Sequence, residues 1–271
     1  MAKDPFRIRD HVPEFDDIVA EIVRRSAETR AKVPMAADLA YGPDPRETVD
    51  LFFPQGKSDR LAVHIFIHGG YWRMFSKRDY SYVADTVTNA GAIAVIVGYA
   101  LMPTVRMATI VDQVRRARQW IHDHIASYGG DPDQLTVSGH SAGAHLATML
   151  FGEDGRPSGI KGALLLGGIY DLRPLQESFL AAEIAITDDE VERFSPINHR
   201  FDPSVRVELS VGADETPPFH NQAATLAERF ERQGLAVSRT SLAAANHMSS
   251  VRDLGLGGTP AAALLARLLT V

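Results

Sequence analysis

From Leu61 onward, short apolar runs rich in β-branched residues alternate with amphipathic stretches, and this alternation restricts the fold more than any other feature of the chain. Leu61 to Ile67, Ala92 to Tyr99, Leu135 to Gly139, Gly162 to Leu166, Val205 to Val211 and Ala236 to Leu242 read as strands. Helices are expected at 108–128, 142–151 and 219–232, with a last one at 260–269. In the first of these, Ile110, Val114, Ala117, Trp120, Ile121 and Ile125 share one side, and Gly129-Gly130-Asp131-Pro132 ends it. Strands that are apolar along their whole length are covered on both faces. The expected class is therefore α/β, a mostly parallel twisted sheet with helices on both sides.

A chain of 271 residues buries roughly three quarters of its unfolded surface in one core. No linker or repeat divides it, so a single domain over 1–271 is expected. Residues 1–40 read as an N-terminal helical segment, because Phe15, Ile18, Val19, Ile22 and Val23 fall at helical spacing. Turn residues from Tyr41 to Pro45 follow, then an alternating strand from Thr48 to Phe53. Residues 170–201 break the rhythm with acidic and aromatic side chains and read as a small cap or lid above the sheet. In open α/β sheets ligands bind beyond the carboxyl ends of the strands, so chemistry is sought just after a strand.

Gly139-His140-Ser141-Ala142-Gly143 reads G-x-S-x-G, with a strand before it and a helix after it. That setting makes Ser141 a candidate nucleophile on a sharp turn, its hydroxyl clear of the backbone. A serine hydroxyl needs a positioned base. His247 follows the strand ending near Leu242, in the small-residue loop Ala243-Ala244-Ala245-Asn246, and is the candidate. The acid is sought after the preceding strand, in Gly212-Ala213-Asp214-Glu215; Asp214 takes the place, with Glu215 as the substitute one residue on. Strand Leu61 to Ile67 runs into His68-Gly69-Gly70-Tyr71-Trp72. A developing oxyanion needs backbone N–H groups already aimed at it. Gly70, Tyr71 and Ala142 are the expected donors, Gly69 makes the turn, and His68 holds the loop by hydrogen bonding. Trp72, Tyr170 and Phe179 are candidate pocket walls.

Other constellations fail. His64 and His68 are about 13 Å apart along a strand and cannot share an ion. His140 and His145 miss helical i, i+4 spacing, and no H-E-x-x-H occurs. Gly56-Lys57-Ser58 resembles the end of a phosphate-binding loop, but Leu51 stands where its earlier glycine belongs. Neither a metal nor another cofactor is expected. The chain holds 28 Lys and Arg against 34 Asp and Glu, a net charge of -6, which argues against nucleic acid as a partner. It has no cysteine, which excludes disulfides and thiol nucleophiles. The first 17 residues lack an apolar signal core, and the longest apolar run, Gly91 to Met102, is too short to span a bilayer. A cytoplasmic location and no membrane partner are expected. The partner is a small-molecule acyl substrate, and a homodimer is left open.

The chain resembles the α/β-hydrolase superfamily, and within it the arylformamidase (kynurenine formamidase)-like and related carboxylesterase group, from about Thr48 to its end. The specific markers are His68-Gly69-Gly70-Tyr71-Trp72, then Gly168-Ile169-Tyr170-Asp171-Leu172 with Ser195-Pro196, and Val211-Gly212-Ala213-Asp214-Glu215-Thr216-Pro217 with Phe219. Hormone-sensitive-lipase-like esterases usually carry a third glycine where Tyr71 stands. The resemblance implies an α/β-hydrolase fold with Ser141 as nucleophile, His247 as base, Asp214 as its partner, and Gly70, Tyr71 and Ala142 as oxyanion donors. It implies metal-free hydrolysis through an acyl-enzyme, on an aryl formamide such as N-formylkynurenine or on a short-chain carboxylic ester. A non-catalytic binding protein on the same fold is the third expectation.

Overall fold

The carboxyl ends of the central strands lie side by side, and the computed structural model, which describes residues 3–56, 59–152 and 154–270, shows how the sequence brings them there. Lys57 and Ser58, from the rejected phosphate-loop resemblance, lie outside the described residues. The strands are β1 (Met35–Ala40), β2 (Thr48–Phe52), β3 (Leu61–Ile67), β4 (Ile93–Val97), β5 (Gly130–His140), β6 (Ile160–Leu166), β7 (Arg206–Gly212) and β8 (Ala236–Leu242). Among the described residues they form one sheet in the order β1-β2-β4-β3-β5-β6-β7-β8. β2 runs antiparallel to β1 and β4, and β4 through β8 are mutually parallel. The expected class holds: an α/β-hydrolase sheet, mostly parallel, with helices packed on it.

β4 is buried at every position, and only polar Thr136 and Ser138 interrupt the apolar centre of β5. Both faces of these strands are therefore covered, as continuous Ile and Val runs require. β8 is an edge strand, and Ser238 and Thr240 on one face with Arg239 on the other keep both faces polar, which discourages further pairing. The registers Ile67 with Gly139, Gly139 with Leu165, and Gly212 with Leu242 align the strand ends that bear the site.

The helices are α1 (Phe15–Lys32), α2 (Ala84–Asn89), α3 (Met107–His124), α4 (Ala142–Thr148), α5 (Ala181–Ile184), α6 (Asp188–Phe194), α7 (Pro217–Arg232), α8 (His247–Arg252) and α9 (Pro260–Leu268). α3 buries Ile110, Val114, Ala117 and Ile121, the stripe read from spacing, while Trp120 stays partly exposed. Residues 170–201 hold α5 and α6 between short 3-10 turns. α6 begins with a reciprocal cap: Thr187 Oγ1 accepts from the Glu190 backbone N–H at 3.2 Å, and Glu190 accepts from that of Thr187 at 3.0 Å. Glu190 also accepts from Arg106 Nε at 3.1 Å, tying the cap to the start of α3.

Three expectations need correction. Residues 1–40 are not helical throughout: α1 ends at Lys32, and Met35–Ala40 adds β1 as an edge strand. β1 (MAADLA) lacks the β-branched alternation that marks a strand; pairing with β2 makes it one. The helix after Ser141 stops at Thr148 rather than 151. His247, read as a loop residue, is the first residue of α8.

Candidate active site

Ser141 sits between the end of β5 and the start of α4 with φ +56° and ψ −121°. Few non-glycine residues tolerate such a backbone, which costs on the order of 1–3 kcal/mol. The crossing of strand and helix explains the flanking glycines. A methyl group added to Gly143 would lie 2.0 Å from the Ile67 carbonyl oxygen, and one on Gly139 would lie 2.2 Å from the carbonyl oxygen of Gly143. The Ser141 N–H donates to the Leu166 carbonyl at 2.9 Å, which locks the turn to the neighbouring strand.

His247 is placed by its own helix. Asn246 caps α8, its Oδ1 accepting from the N–H groups of Met248 at 3.0 Å and Ser249 at 2.9 Å. The imidazole is 4% exposed and packs against Phe219, with ring centres 4.5 Å apart and the planes tilted by 42°. Its Nδ1 lies 2.6 Å from Glu215 Oε2, and that carboxylate is fully buried. The other oxygen, Oε1, accepts from the Gly212 N–H at 2.8 Å. Gly167, with φ +50°, lies against this pair; a methyl group there would be 2.9 Å from Glu215 Oε1 and 3.2 Å from His247 Nδ1.

The partner of His247 is thus Glu215 and not the expected Asp214. The Glu215 N–H donates to the Gly212 carbonyl at 3.1 Å, closing a four-residue turn after β7. Ala213 and Asp214 occupy the exposed middle of that turn, and Glu215 comes back into the protein.

Ser141, His140, His247, Gly70, Tyr71 and Phe179 line one cavity of about 480 Å³. Gly70 and Tyr71 adopt positive φ values of 105° and 51°, and the Gly70 carbonyl accepts from Arg73 and Met74 at 3.0 and 2.9 Å. Among the described residues no protein acceptor meets the N–H of Gly70, Tyr71 or Ala142. Unpaired donors beside a serine on a turn are what an oxyanion site requires. His68 is buried, donates from Nδ1 to the Gly69 carbonyl at 2.8 Å and stacks on Tyr99 at 4.3 Å, so it does stiffen this loop.

Of the three expected pocket walls, only Phe179 lines the cavity. Trp72 is fully buried, and its indole N–H donates to His145 Nδ1 at 3.2 Å. His145 Nε2 then donates to the Phe194 carbonyl at 2.7 Å, so Trp72 joins the glycine loop, through α4, to the cap. Tyr170 is also fully buried; its backbone N–H donates to Gln222 Oε1 at 2.5 Å, under the cap. Both side chains are structural because the loops that carry them turn inward immediately after the strands.

His140 contributes something its motif position does not announce. Its Nε2 donates to the His247 carbonyl at 2.9 Å, and the two rings are 4.4 Å apart. Burial, and then the neighbouring His247, hold the His140 ring well below the ordinary histidine range. It stays neutral and fixes the first turn of α8.

The sequence reading also missed a wall of the cavity. The segment before α1 crosses it, with Arg7, Ile8, Arg9 and Asp10 among the lining residues. Asp4 Oδ2 accepts from the Phe179 N–H at 2.6 Å, Pro5 O from Thr216 Oγ1 at 2.7 Å, and Phe6 O from the Tyr71 hydroxyl. Phe6 packs edge-on against Phe219 at 6.0 Å. No local pattern in a mixed-charge segment gives such a role; only the buried Phe6, Ile8 and Val12 hint at it.

The BD-FAE family model matches residues 49–156. A kynurenine formamidase of Danio rerio is 31% identical over 88% of this chain and 85% of its own length. A crystal structure of a protein from Silicibacter sp. TM1040 superimposes with a TM-score of 0.85 at 23% identity, covering 98% of both chains. The hyperthermophilic esterase of Pyrobaculum calidifontis gives a TM-score of 0.76 at 17% identity, covering 97% of this chain and 93% of that one. Among the described residues no helix is long and apolar enough to cross a membrane.

Proposed function

The chain belongs to the kynurenine formamidase group of the α/β-hydrolases, and on that premise we propose that it is a serine hydrolase removing a small acyl group, formyl from an aryl formamide, through an acyl-enzyme. The observation that carries this reading is the buried Glu215–His247 hydrogen bond on a cavity that Ser141 also lines. His247 takes the Ser141 proton as the oxygen attacks the acyl carbon. Negative charge collects on the carbonyl oxygen, where the N–H groups of Gly70, Tyr71 and Ala142 meet it. His247 then protonates the leaving aryl amine. A water molecule, losing its proton to His247, hydrolyses the formyl-enzyme and restores Ser141. Glu215 holds the Nδ1–H tautomer and stabilises the imidazolium. No step calls for a metal.

A formyl group carries no chain, so it needs little space beside Ser141, while Tyr71 and Phe179 give the larger leaving group an aromatic wall. The test compares hydrolysis of N-formylkynurenine with that of p-nitrophenyl acetate and butyrate, and follows labelling by a fluorophosphonate probe. Formamide turnover with kcat/KM above that for either ester, and labelling abolished by Ser141→Ala, are expected. Ester hydrolysis without formamide turnover makes it a carboxylesterase; full turnover in Ser141→Ala ends the acyl-enzyme scheme.

A further inference from the structure

The charged groups around the cavity are unequally matched. Arg73 pairs with Glu183, and Arg9 pairs with Asp16. Arg7 and Asp10 line the same cavity, and among the described residues neither side chain makes an ion pair. Lys3 reaches Asp10 only at its backbone carbonyl, at 2.7 Å. Both side chains are exposed on the cavity rim.

Their placement follows from local structure. Ile8–Asp10 is a 3-10 turn flanked by Arg7, and the Asp10 N–H donates to the Arg7 carbonyl at 2.8 Å. Side chains three residues apart in such a turn project from the same side, with a rise of about 6 Å between them. A cation and an anion thus stand on one side of one turn without pairing. The Arg7 guanidinium instead lies over the Phe179 ring, 4.7 Å from its centre, which fixes it against an aromatic wall of the cavity. The turn itself is anchored, because Asp4, Pro5 and Phe6 are bonded to Phe179, Thr216 and Tyr71.

A bare anion would meet Arg7 but be repelled by Asp10, and a bare cation would meet the reverse. A group bearing both charges on substituents of one carbon satisfies both. We propose that Arg7 and Asp10 form a specificity subsite that binds the zwitterionic α-amino acid carried by the leaving group of the substrate, Arg7 holding the carboxylate and Asp10 the ammonium. This rests on the aryl-formamide reading above and adds which residues of this chain hold the amino-acid end of such a substrate. Arg7 suits the task because its planar fork can grip a carboxylate through two parallel hydrogen bonds.

Calorimetric titration of the full chain tests this without turnover. The probes are kynurenine, its decarboxylated amine and its deaminated acid. Against kynurenine, Arg7→Gln and Asp10→Asn are each expected to raise Kd about tenfold, the loss of one charge-assisted contact. Arg7→Gln should leave the decarboxylated amine within about twofold of wild type, and Asp10→Asn should do the same for the deaminated acid. Melting temperatures of both variants should match wild type, since the side chains are exposed. Equal losses for all three probes, unchanged affinities, or no kynurenine binding by the wild-type chain would each overturn the subsite. Failure to hydrolyse any formamide would count against the proposed function alone, because the titration reads binding only.

Discussion

The elbow at Ser141 and the turn at Glu215 both deliver a polar group from the end of a parallel strand, and they do so by different physics. At the elbow, steric necessity is written locally. Strand, serine and helix cross so closely that a side chain on Gly139 or Gly143 would collide with backbone carbonyls. At the β7 end, a four-residue turn decides which carboxylate faces inward, and Asp214 and Glu215 are chemically interchangeable on paper. Local sterics leave a signature in residue types. The direction of a turn leaves almost none, because both acids suit a loop after a strand.

The largest expected effect sharpens that contrast. Glu215→Gln should lower kcat by about 10⁴, since the imidazole loses the carboxylate that sets its tautomer. Asp214→Asn, at the exposed middle of the same turn, should stay within about twofold of wild type. Steady-state kinetics on whichever acyl substrate turns over decides it, and the reverse ranking would restore Asp214 as the partner.

A smaller effect probes the wall behind the pair. Gly167→Ala adds a methyl group 2.9 Å from Glu215 Oε1 at a positive φ. It should cost about 1 kcal/mol of stability and lower kcat by about tenfold through displacement of the acid. Urea denaturation measured alongside kcat separates the two consequences, and an unchanged kcat would show that the Glu215 position tolerates movement.

An effect of another kind, on stability alone, concerns histidines outside the reacting atoms. Burial drives His64 and His145 down to about 3 and His68 to about 4, and holds His140 well below the ordinary range. In the unfolded chain these groups titrate near 6.5. Between those values the unfolded chain binds protons that the folded chain refuses. The stability they allow is complete above pH about 6.5 and declines as pH falls toward 4 and then 3. Each histidine contributes a slope of about 1.4 kcal/mol per pH unit in that window. Denaturant unfolding at pH 7, 6 and 5 should show a steepening loss; constant stability from pH 7 to 5 would mean that these rings are protonated in the folded protein.

Much of the fold was legible in sequence because it rests on pattern. The Ile and Val runs of β3 and β4 and the spaced apolar face of α3 declare their burial directly. β1 was not legible: Met35 to Ala40 has weak strand character and is held by its partner β2. The short α8 was hidden for a similar reason, since six residues nucleate a helix only with the Asn246 cap and the packing of Phe219 and His140 around His247.

By itself, then, the amino-acid order determined a parallel sheet, a serine on a sharp bend after β5, and a histidine from beyond β8 that lines the same cavity. Those features follow from the periodicity of burial and from glycines that sterics demand, and both are short-range properties. Only tertiary structure decided that Glu215 is the carboxylate bonded to His247, that Trp72 and Tyr170 point into the core, and that residues 7–10 wall the cavity with Arg7 and Asp10 on its rim. These depend on where a loop turns and on contacts across some two hundred positions, Pro5 with Thr216 among them, and no local preference in the chain encodes such distances.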